Sequence, residues 1–351
     1  MTIAIDATPF TVPTGGVVRY TSELSRALAE RFPGDEYWLL SDQPFPGPEA
    51  APPNLHCGER PHSIAGRRWW LWGLNREMAR RGVELFHGTD FSVPYFPSRP
   101  SVMTLHDLSP WLDRAWQPAA GRVRRRARLL LQAGICTMVI TPSEAVRRAA
   151  IERFRLSPDR VVAIPLAAVE HFRPVEAPPV ATPYFLFVGT LEPRKNIHRL
   201  IDAWREVRKT QNVALVVAGR ARADFPPLVP EHGLRILGAV RDEELPALYS
   251  GALACVYPSL YEGFGLPVLE AMQCGAVVIA SQDPAILEVT GDAAVHVEAT
   301  DARALAQALA AAAGFEGLRK KAISRAGQFS WRRTAERTRE VYDTPRRVFA
   351  G

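Results

Sequence analysis

Two carboxylates, Glu262 and Glu270, stand eight positions apart in the run Tyr257–Ser281, YPSLYEGFGLPVLEAMQCGAVVIAS. The run predicts a strand end, a loop holding Gly263 and Gly265, a helix opening at Pro267 and a second apolar strand. Proline suits the first turn of a helix, where its missing N–H would have had no partner. The two glycines allow the backbone to approach a ligand closely with its N–H groups outward. Glu262 then sits in the loop above the helix N-terminus, and Glu270 lies about one turn inside. A carboxylate accepts hydrogen bonds from two hydroxyls, so the pair suits neutral polyols such as a sugar and a ribose. Taken alone, Glu262 would serve the helix dipole equally well and Glu270 the surface.

A second loop supplies cations. In FVGTLEPRKN, Phe187–Asn196, a strand ends, Gly189 permits a tight turn, and Arg194 and Lys195 precede a helix. Ile197, Leu200, Ile201 and Trp204 recur at helical spacing, so that helix buries an apolar face. Two cations beside free backbone N–H groups make an anion site; the alternative is a solvated basic loop. The chain has only four lysines, Lys195, Lys209, Lys320 and Lys321, and the rest of its 43 basic residues are arginine. Against that bias Lys195 stands out.

These loops need strands and helices to hold them. Ile3–Asp6, Tyr37–Leu40, Glu84–Phe86, Ser101–Leu105, Met138–Ile140 and Val161–Ile164 read as short apolar strands. Helical patterns run from the Gly15-Gly16 turn to about Phe32 and over Trp69–Arg81, Gly121–Gly134 and Ser143–Phe154. The alternation resumes with strands Tyr184–Val188, Val213–Ala218, Arg235–Leu237 and Ala254–Tyr257, and helices from about Asn196 and over Asp242–Tyr249. Such a pattern predicts an α/β chain: two Rossmann-like, doubly wound parallel-sheet domains facing across a cleft. Ligands of such sheets bind beyond the carboxyl ends of the strands. The proline-rich run 173–183 reads as a linker between an N-terminal domain, 1–172, and a C-terminal one, 184–332.

Composition sets the outer limits. The 351 residues, 47% hydrophobic and 23% charged, are those of an ordinary globular chain of about two domains. No apolar run reaches spanning length, and the start MTIAIDATPF lacks the features of a signal peptide, so a cytoplasmic place is expected. Cys57, Cys136, Cys255 and Cys274 have no metal or disulfide spacing. A net charge of +6 suits an anionic ligand or a membrane surface; a nucleic-acid partner is not expected.

GTLEPRKN followed by EGFGLPVLE resembles the C-terminal half of the family 4 glycosyltransferases, retaining enzymes of GT-B fold, whose E-x7-E pattern the two glutamates match. TGGVVRYTSEL resembles that family's first glycine-rich loop, and LHDLSPW, Leu105–Trp111, the acceptor-side loop of its mannosyltransferase-like members. FSW, Phe329–Trp331, resembles the point where the last helices return to the first domain, giving a helix over about 333–351. The resemblance spans nearly the whole chain, and five motifs in order make it specific. It implies that Lys195 and Arg194 hold a donor diphosphate. It implies that Glu262, with the backbone of Gly263, Phe264, Gly265 and Leu266, binds the donor sugar, and that Glu270 takes the ribose. Val240, in the turn Gly238–Val240, would lie against the base, Gly15 and Gly16 would meet the phosphates, and His106 would lie near the reacting carbon. Catalytic weight falls on His106, Glu262 and Lys195. Val18 and Thr190 depart from the family's usual residues.

The chain has no D-x-D motif to hold a divalent ion. Lys195, Arg194 and helix N-termini would take over the leaving diphosphate, giving a metal-independent and cofactor-free transfer. No acid is an evident nucleophile for double displacement, although Asp107 beside His106 stays open; the resemblance implies reaction on one face, with the leaving phosphate helping to deprotonate the acceptor. A nucleotide-sugar epimerase or a non-catalytic nucleotide-sugar binding protein on the same fold are the alternatives. GDP-mannose leads as donor, with a UDP-sugar next, and a glycan or lipid-linked glycan of polysaccharide synthesis leads as acceptor. RRWWLW, 67–72, and RVRRRAR, 122–128, combine arginine with apolar residues and suggest peripheral contact with the inner face of a membrane. An ordinary helix with a packed side and a basic side would read the same way.

Overall fold

Strands too apolar to face water on either side must be covered on both, and they assemble here into two all-parallel sheets. The computed structural model describes residues 1–12, 15–48, 50–60, 68–176 and 182–349. The chain forms two compact units, Met1–Leu166 with Ser330–Gly351, and Ala167–Phe329.

In the first unit the chain runs β1 (Thr2–Asp6), α1 (Gly16–Arg31), β2 (Glu36–Leu40), β3 (Leu55–Cys57), α2 (Leu74–Arg80), β4 (Leu85–Gly88), β5 (Ser101–Thr104), α3 (Ser109–Leu112), α4 (Gly121–Gln132), β6 (Met138–Thr141), α5 (Glu144–Phe154) and β7 (Val161–Ala163). The strand order is β3-β2-β1-β4-β5-β6-β7, so the winding reverses between β1 and β4. The second unit runs β8 (Tyr184–Val188), α6 (Ile197–Arg208), β9 (Ala214–Ala218), β10 (Leu234–Gly238), α7 (Leu245–Gly251), β11 (Ala254–Tyr257), α8 (Leu266–Gln273), β12 (Val278–Ser281), α9 (Pro284–Thr290), β13 (Val295–Val297), α10 (Ala302–Ala310) and α11 (Leu318–Ala326). Its order β10-β9-β8-β11-β12-β13 reverses between β8 and β11. The final helix, α12 (Trp331–Phe349), belongs to the first unit.

Each core follows from the pattern. Ile197, Leu200, Ile201 and Trp204 of α6 pack with Phe185, Phe187, Leu215 and Val217 of the sheet. Trp204 is wholly enclosed, and its indole N–H donates to the Val213 carbonyl at 3.0 Å, which removes the cost of burying that group. In the first unit α12 lies on α1. Arg339 Nε meets Asp35 Oδ2 at 2.6 Å, Thr334 Oγ1 donates to the Pro165 carbonyl at 2.8 Å, and the enclosed Tyr342 hydroxyl lies 2.7 Å from His87 Nδ1.

Several boundaries differ from those the sequence suggests. The Trp69–Arg81 helix begins with a π-helical turn, Trp69–Gly73, before α2, and Leu74 N–H reaches back to the Trp69 carbonyl. The Asp242–Tyr249 helix starts only at Leu245, because Pro246 must stand in the first turn, where it has no N–H to contribute. The two units divide at Leu166/Ala167, ahead of the proline-rich run. The segment past Leu166 is bound to the second unit by Gln273 Nε2, which donates to the carbonyls of Val169 at 2.9 Å and Phe172 at 2.7 Å. Residues 177–181 of the expected linker lie outside the described residues, as do Thr14, Arg67 and the last two positions of the expected final helix.

Candidate active site

The turns at the ends of β8, β9 and β10 carry glycines at positive φ, and at Gly219 there is a steric reason as well. A Cβ on Gly219 would stand 1.9 Å from the Gly189 carbonyl oxygen, so only glycine lets these two turns touch. Gly219 N–H donates to the Gly238 carbonyl at 2.7 Å, which ties in the third turn and the half-buried Val240 beyond it. The first turn continues through Leu191, whose N–H donates to the Arg220 carbonyl at 2.9 Å, into Pro193–Lys195.

There the cations meet an acid from the β11–α8 loop. Lys195 Nζ donates to Glu262 Oε1 at 2.6 Å and Arg194 Nη1 to Glu262 Oε2 at 2.9 Å. Arg194 Nη1 also bonds the Tyr261 carbonyl at 3.0 Å, and Leu260 N–H returns to the Arg194 carbonyl at 2.8 Å. The two loops thus form one hydrogen-bonded body. Burial by itself would raise the Glu262 carboxyl, but Lys195 and Arg194 outweigh it and hold the group down to about 2. Burial, with Arg194 close by, lowers the Lys195 ammonium from its usual range against the pull of Glu262. An arriving anion would reverse that shift.

Around this centre stand residues that sequence reasoning passed over. Ser259 Oγ donates to Glu262 Oε1 at 2.7 Å. Asp283 Oδ2 accepts Glu262 N–H at 3.2 Å, while its Oδ1 caps α9 through the N–H groups of Ala285 and Ile286. Glu192 lies 2.8 Å from Arg194 Nε and 3.6 Å from Arg222 Nη1. Glu192 is the E of GTLEPRKN, so its place in the motif was the available signal.

Gly265 opens α8 at φ 99°, and a Cβ there would stand 2.6 Å from Ile286 Cδ1 of α9. Phe264 beside it is buried with its ring edge on Phe329, centroids 6.0 Å apart. Leu266 is the first residue of the helix, and Gly263 lies in the loop. Glu270 is buried on α8, not at the surface, and accepts the Tyr249 hydroxyl at 3.1 Å.

In the first unit, Gly15 is the exposed N-cap of α1 at φ 142°, followed by the exposed Gly16. His106, just past β5, has Nε2 2.7 Å from the Thr89 carbonyl and stands edge-on to Tyr20, centroids 4.8 Å apart. Burial lowers its imidazole from the ordinary value, with the Thr89 carbonyl and Asp107 opposing. Its Nε2 faces a carbonyl oxygen and so donates to it, which fixes the ring and suits it to orienting groups.

A chain with two doubly wound parallel sheets and a buried Lys–Arg–Glu centre at the end of β8 and β11 falls in the class of two-domain α/β transferases. The model described as Glycosyltransferase Family 4 matches residues 14–168, and that described as Glycosyl transferases group 1 matches residues 169–329. The chain is 33% identical over 282 residues to O-antigen chain mannosyltransferase B of Escherichia coli, covering 74% of each. It is 29% identical over 262 residues to the serotype-specific mannosyltransferase WbdA of Escherichia coli, covering 67% of this chain but 32% of that protein. This chain belongs to the family 4, group 1 glycosyltransferases. Solved structures share the fold: sucrose-phosphate synthase from Thermosynechococcus elongatus superposes with a TM-score of 0.72 at 22% identity over 99% of both chains. WaaG, a glycosyltransferase involved in lipopolysaccharide biosynthesis, gives 0.67 at 17% over 99% of this chain and 98% of the other.

Proposed function

We propose that this chain transfers mannose from GDP-mannose, ahead of a UDP-sugar, to a glycan or lipid-linked glycan in polysaccharide synthesis, with retention and without a metal. The observation that carries the reading is the buried Lys195–Glu262–Arg194 centre. Glu262 and Glu192 balance Lys195 and Arg194 there, so a diphosphate would bind by taking over hydrogen bonds of the two cations from Glu262, whose freed carboxylate would accept sugar hydroxyls. Glu270 would accept the ribose hydroxyls, Val240 would border the base, and the N–H groups of Phe264 and Gly265 would assist the sugar. Gly15 and Gly16 would approach the phosphates. His106, anchored on Thr89, would orient the reacting sugar. The choice of mannose rests on the two mannosyltransferase relatives. Incubation with GDP-mannose and with UDP-sugars, with and without EDTA, on mannosylated acceptors tests the whole reading. Transfer only from a UDP-sugar, or only with a divalent ion, would overturn the corresponding part.

Peripheral membrane contact is the second part of the proposal. Trp72 and Phe96 are 58% and 57% exposed and stack on each other with centroids 5.5 Å apart. Arg122, Arg125, Arg128 and Leu129 are exposed along α4. Among the described residues no helix is long and apolar enough to cross a membrane, so attachment would be by this aromatic and basic surface. Flotation with anionic vesicles should recover the protein, and Trp72→Ala should weaken that recovery; equal recovery of both would remove this surface from the account.

A further inference from the structure

The interior of the first unit holds a polar chain that the proposed transfer does not use. The Tyr342 hydroxyl of α12 lies 2.7 Å from His87 Nδ1 of β4, and His87 Nε2 lies 2.8 Å from Thr104 Oγ1 at the end of β5. Thr104 Oγ1 in turn lies 2.7 Å from the Tyr20 hydroxyl of α1. All four side chains are shut off from solvent, none more than 1% exposed. Burying polar atoms is costly unless each is bonded, and a fully bonded network specifies one arrangement of the elements it joins.

The chain ends against the ring given an orienting role. Two bonds join the end of β4 to the end of β5, two residues apart: His87 to Thr104, then the Thr89 carbonyl to His106 Nε2. Tyr20 reaches both levels, with its hydroxyl on Thr104 and its ring edge-on to His106, centroids 4.8 Å apart and planes at 86°. His106 is therefore held by Thr89 and by Tyr20. Each of these is fastened to His87, Thr89 along the backbone and Tyr20 through Thr104. Burial first, and the nearby His106 second, hold the His87 imidazole down to about 3, so near neutral pH it is uncharged. Such a ring donates from one nitrogen and accepts at the other, so the chain has a direction, from Tyr342 toward Tyr20 or the reverse. Removing the hydroxyl of Tyr342 or of Thr104 interrupts it and leaves an enclosed nitrogen of His87 without a partner.

We propose that Tyr342, His87, Thr104 and Tyr20 are positioning residues for His106, so that the docking of α12 on the first sheet fixes the ring that orients the reacting sugar. The assignment rests on the proposed glycosyl transfer for what His106 does, and on the geometry alone for how His106 is held. Helix α12 has other anchors, Arg339 on Asp35 and Thr334 on the Pro165 carbonyl, which do not touch the chain. Packing alone would be served equally well by phenylalanine at position 342, and the hydroxyl is what the chain requires.

The test uses the full chain. Tyr342→Phe and Thr104→Val each remove one hydroxyl and keep the shape; thermal melting and circular dichroism establish that each is folded, and either suffices if the other is not. Each should lower kcat by about fivefold or more with the donor the wild type uses, while the donor KM and the affinity for a nucleoside diphosphate stay within about twofold. Long-range proton–nitrogen NMR of protein carrying nitrogen-labelled histidine should show the His106 ring resonances displaced in both. Thr104→Ser, which keeps a hydroxyl, should have wild-type kcat and resonances. Arg339→Ala, which loosens α12 without touching the chain, should melt earlier and leave kcat and resonances in place. Wild-type kcat or unmoved His106 resonances in the folded hydroxyl variants overturns the assignment, and so does an equal displacement in Arg339→Ala. If the wild type transfers from no donor, the function proposed above fails, and the resonances alone decide the positioning.

Discussion

At the scale of single residues, the centre is defined by how Glu262 divides its two oxygens between Lys195 and Arg194. Removing a cation from that centre leaves a buried carboxylate with less compensation and a diphosphate with a weaker partner. Lys195→Ala should therefore cost about 1.5–3 kcal/mol in nucleoside diphosphate affinity, the scale of one charged hydrogen bond. Calorimetry reads this directly, and an unchanged affinity would take the anion role away from Lys195. The lowered ammonium also predicts proton uptake when a nucleotide binds at alkaline pH, visible as a buffer-dependent binding enthalpy. The two glutamates should separate. Glu270→Ala should weaken free nucleotide and nucleotide sugar alike, whereas Glu262→Gln should damage transfer more than nucleotide binding. Equal losses of free nucleotide in both would end that division of labour. His106→Ala, on the other unit, should lower kcat about a hundredfold, or about 2.7 kcal/mol, with nucleotide affinity intact. Wild-type turnover would reduce His106 to a ring fixed on the Thr89 carbonyl.

At the scale of elements, α8 owes its position to Gly265. The residue combines a left-handed φ of 99° with a close approach to Ile286 of α9, so a side chain there is wrong on both counts. Gly265→Ala should cost roughly 2–4 kcal/mol of stability and move the Glu262 loop. Denaturant melts give the first quantity, and a matched fall in donor affinity reads the second. A neutral Gly265→Ala would mean that α9 yields easily. By contrast Gly15→Ala meets no atom within 4 Å, and its only penalty is the backbone conformation.

At the scale of the whole molecule, the chain returns to its first unit through α12. Burial would raise the Asp35 carboxyl, but Arg339 and the N-terminal ammonium, 2.7 Å away, more than reverse this and hold it below its usual value. A depressed carboxyl contributes stability that is complete above its unfolded value and is lost as pH falls through its folded one. The Asp35–Arg339 contribution should thus be present near neutrality and disappear in acid below the ordinary carboxylate range. Arg339→Ala should flatten that acid limb in melts of the first unit and cost about 2 kcal/mol at pH 7. An acid limb of the same slope in the variant would assign it to other groups.

The sequence by itself determined the α/β alternation, the strands of both sheets' centres, the glycine turns, Lys195, Arg194 and Glu262 as polar residues of the loops beside them, and Glu270 as an acid inside the helix that follows. These are local properties: an apolar strand, a first-turn proline or a helical stripe is written within a few neighbours. Where the local signal is thin, as at the three-residue β3 or the π-helical turn at Trp69–Gly73, it missed or misplaced the element. The tertiary structure alone decided that Lys195 and Glu262, 67 residues apart, are bonded, because β8 and β11 are neighbours across the reversal of the second sheet. It alone buried Glu270 beneath Tyr249, brought Asp283 to the Glu262 backbone, and turned Arg126 away from the exposed arginines of its helix onto Trp70. A charge's partners and its depth depend on which strands lie side by side, and that is settled by the burial of the whole apolar surface rather than by any short stretch of chain.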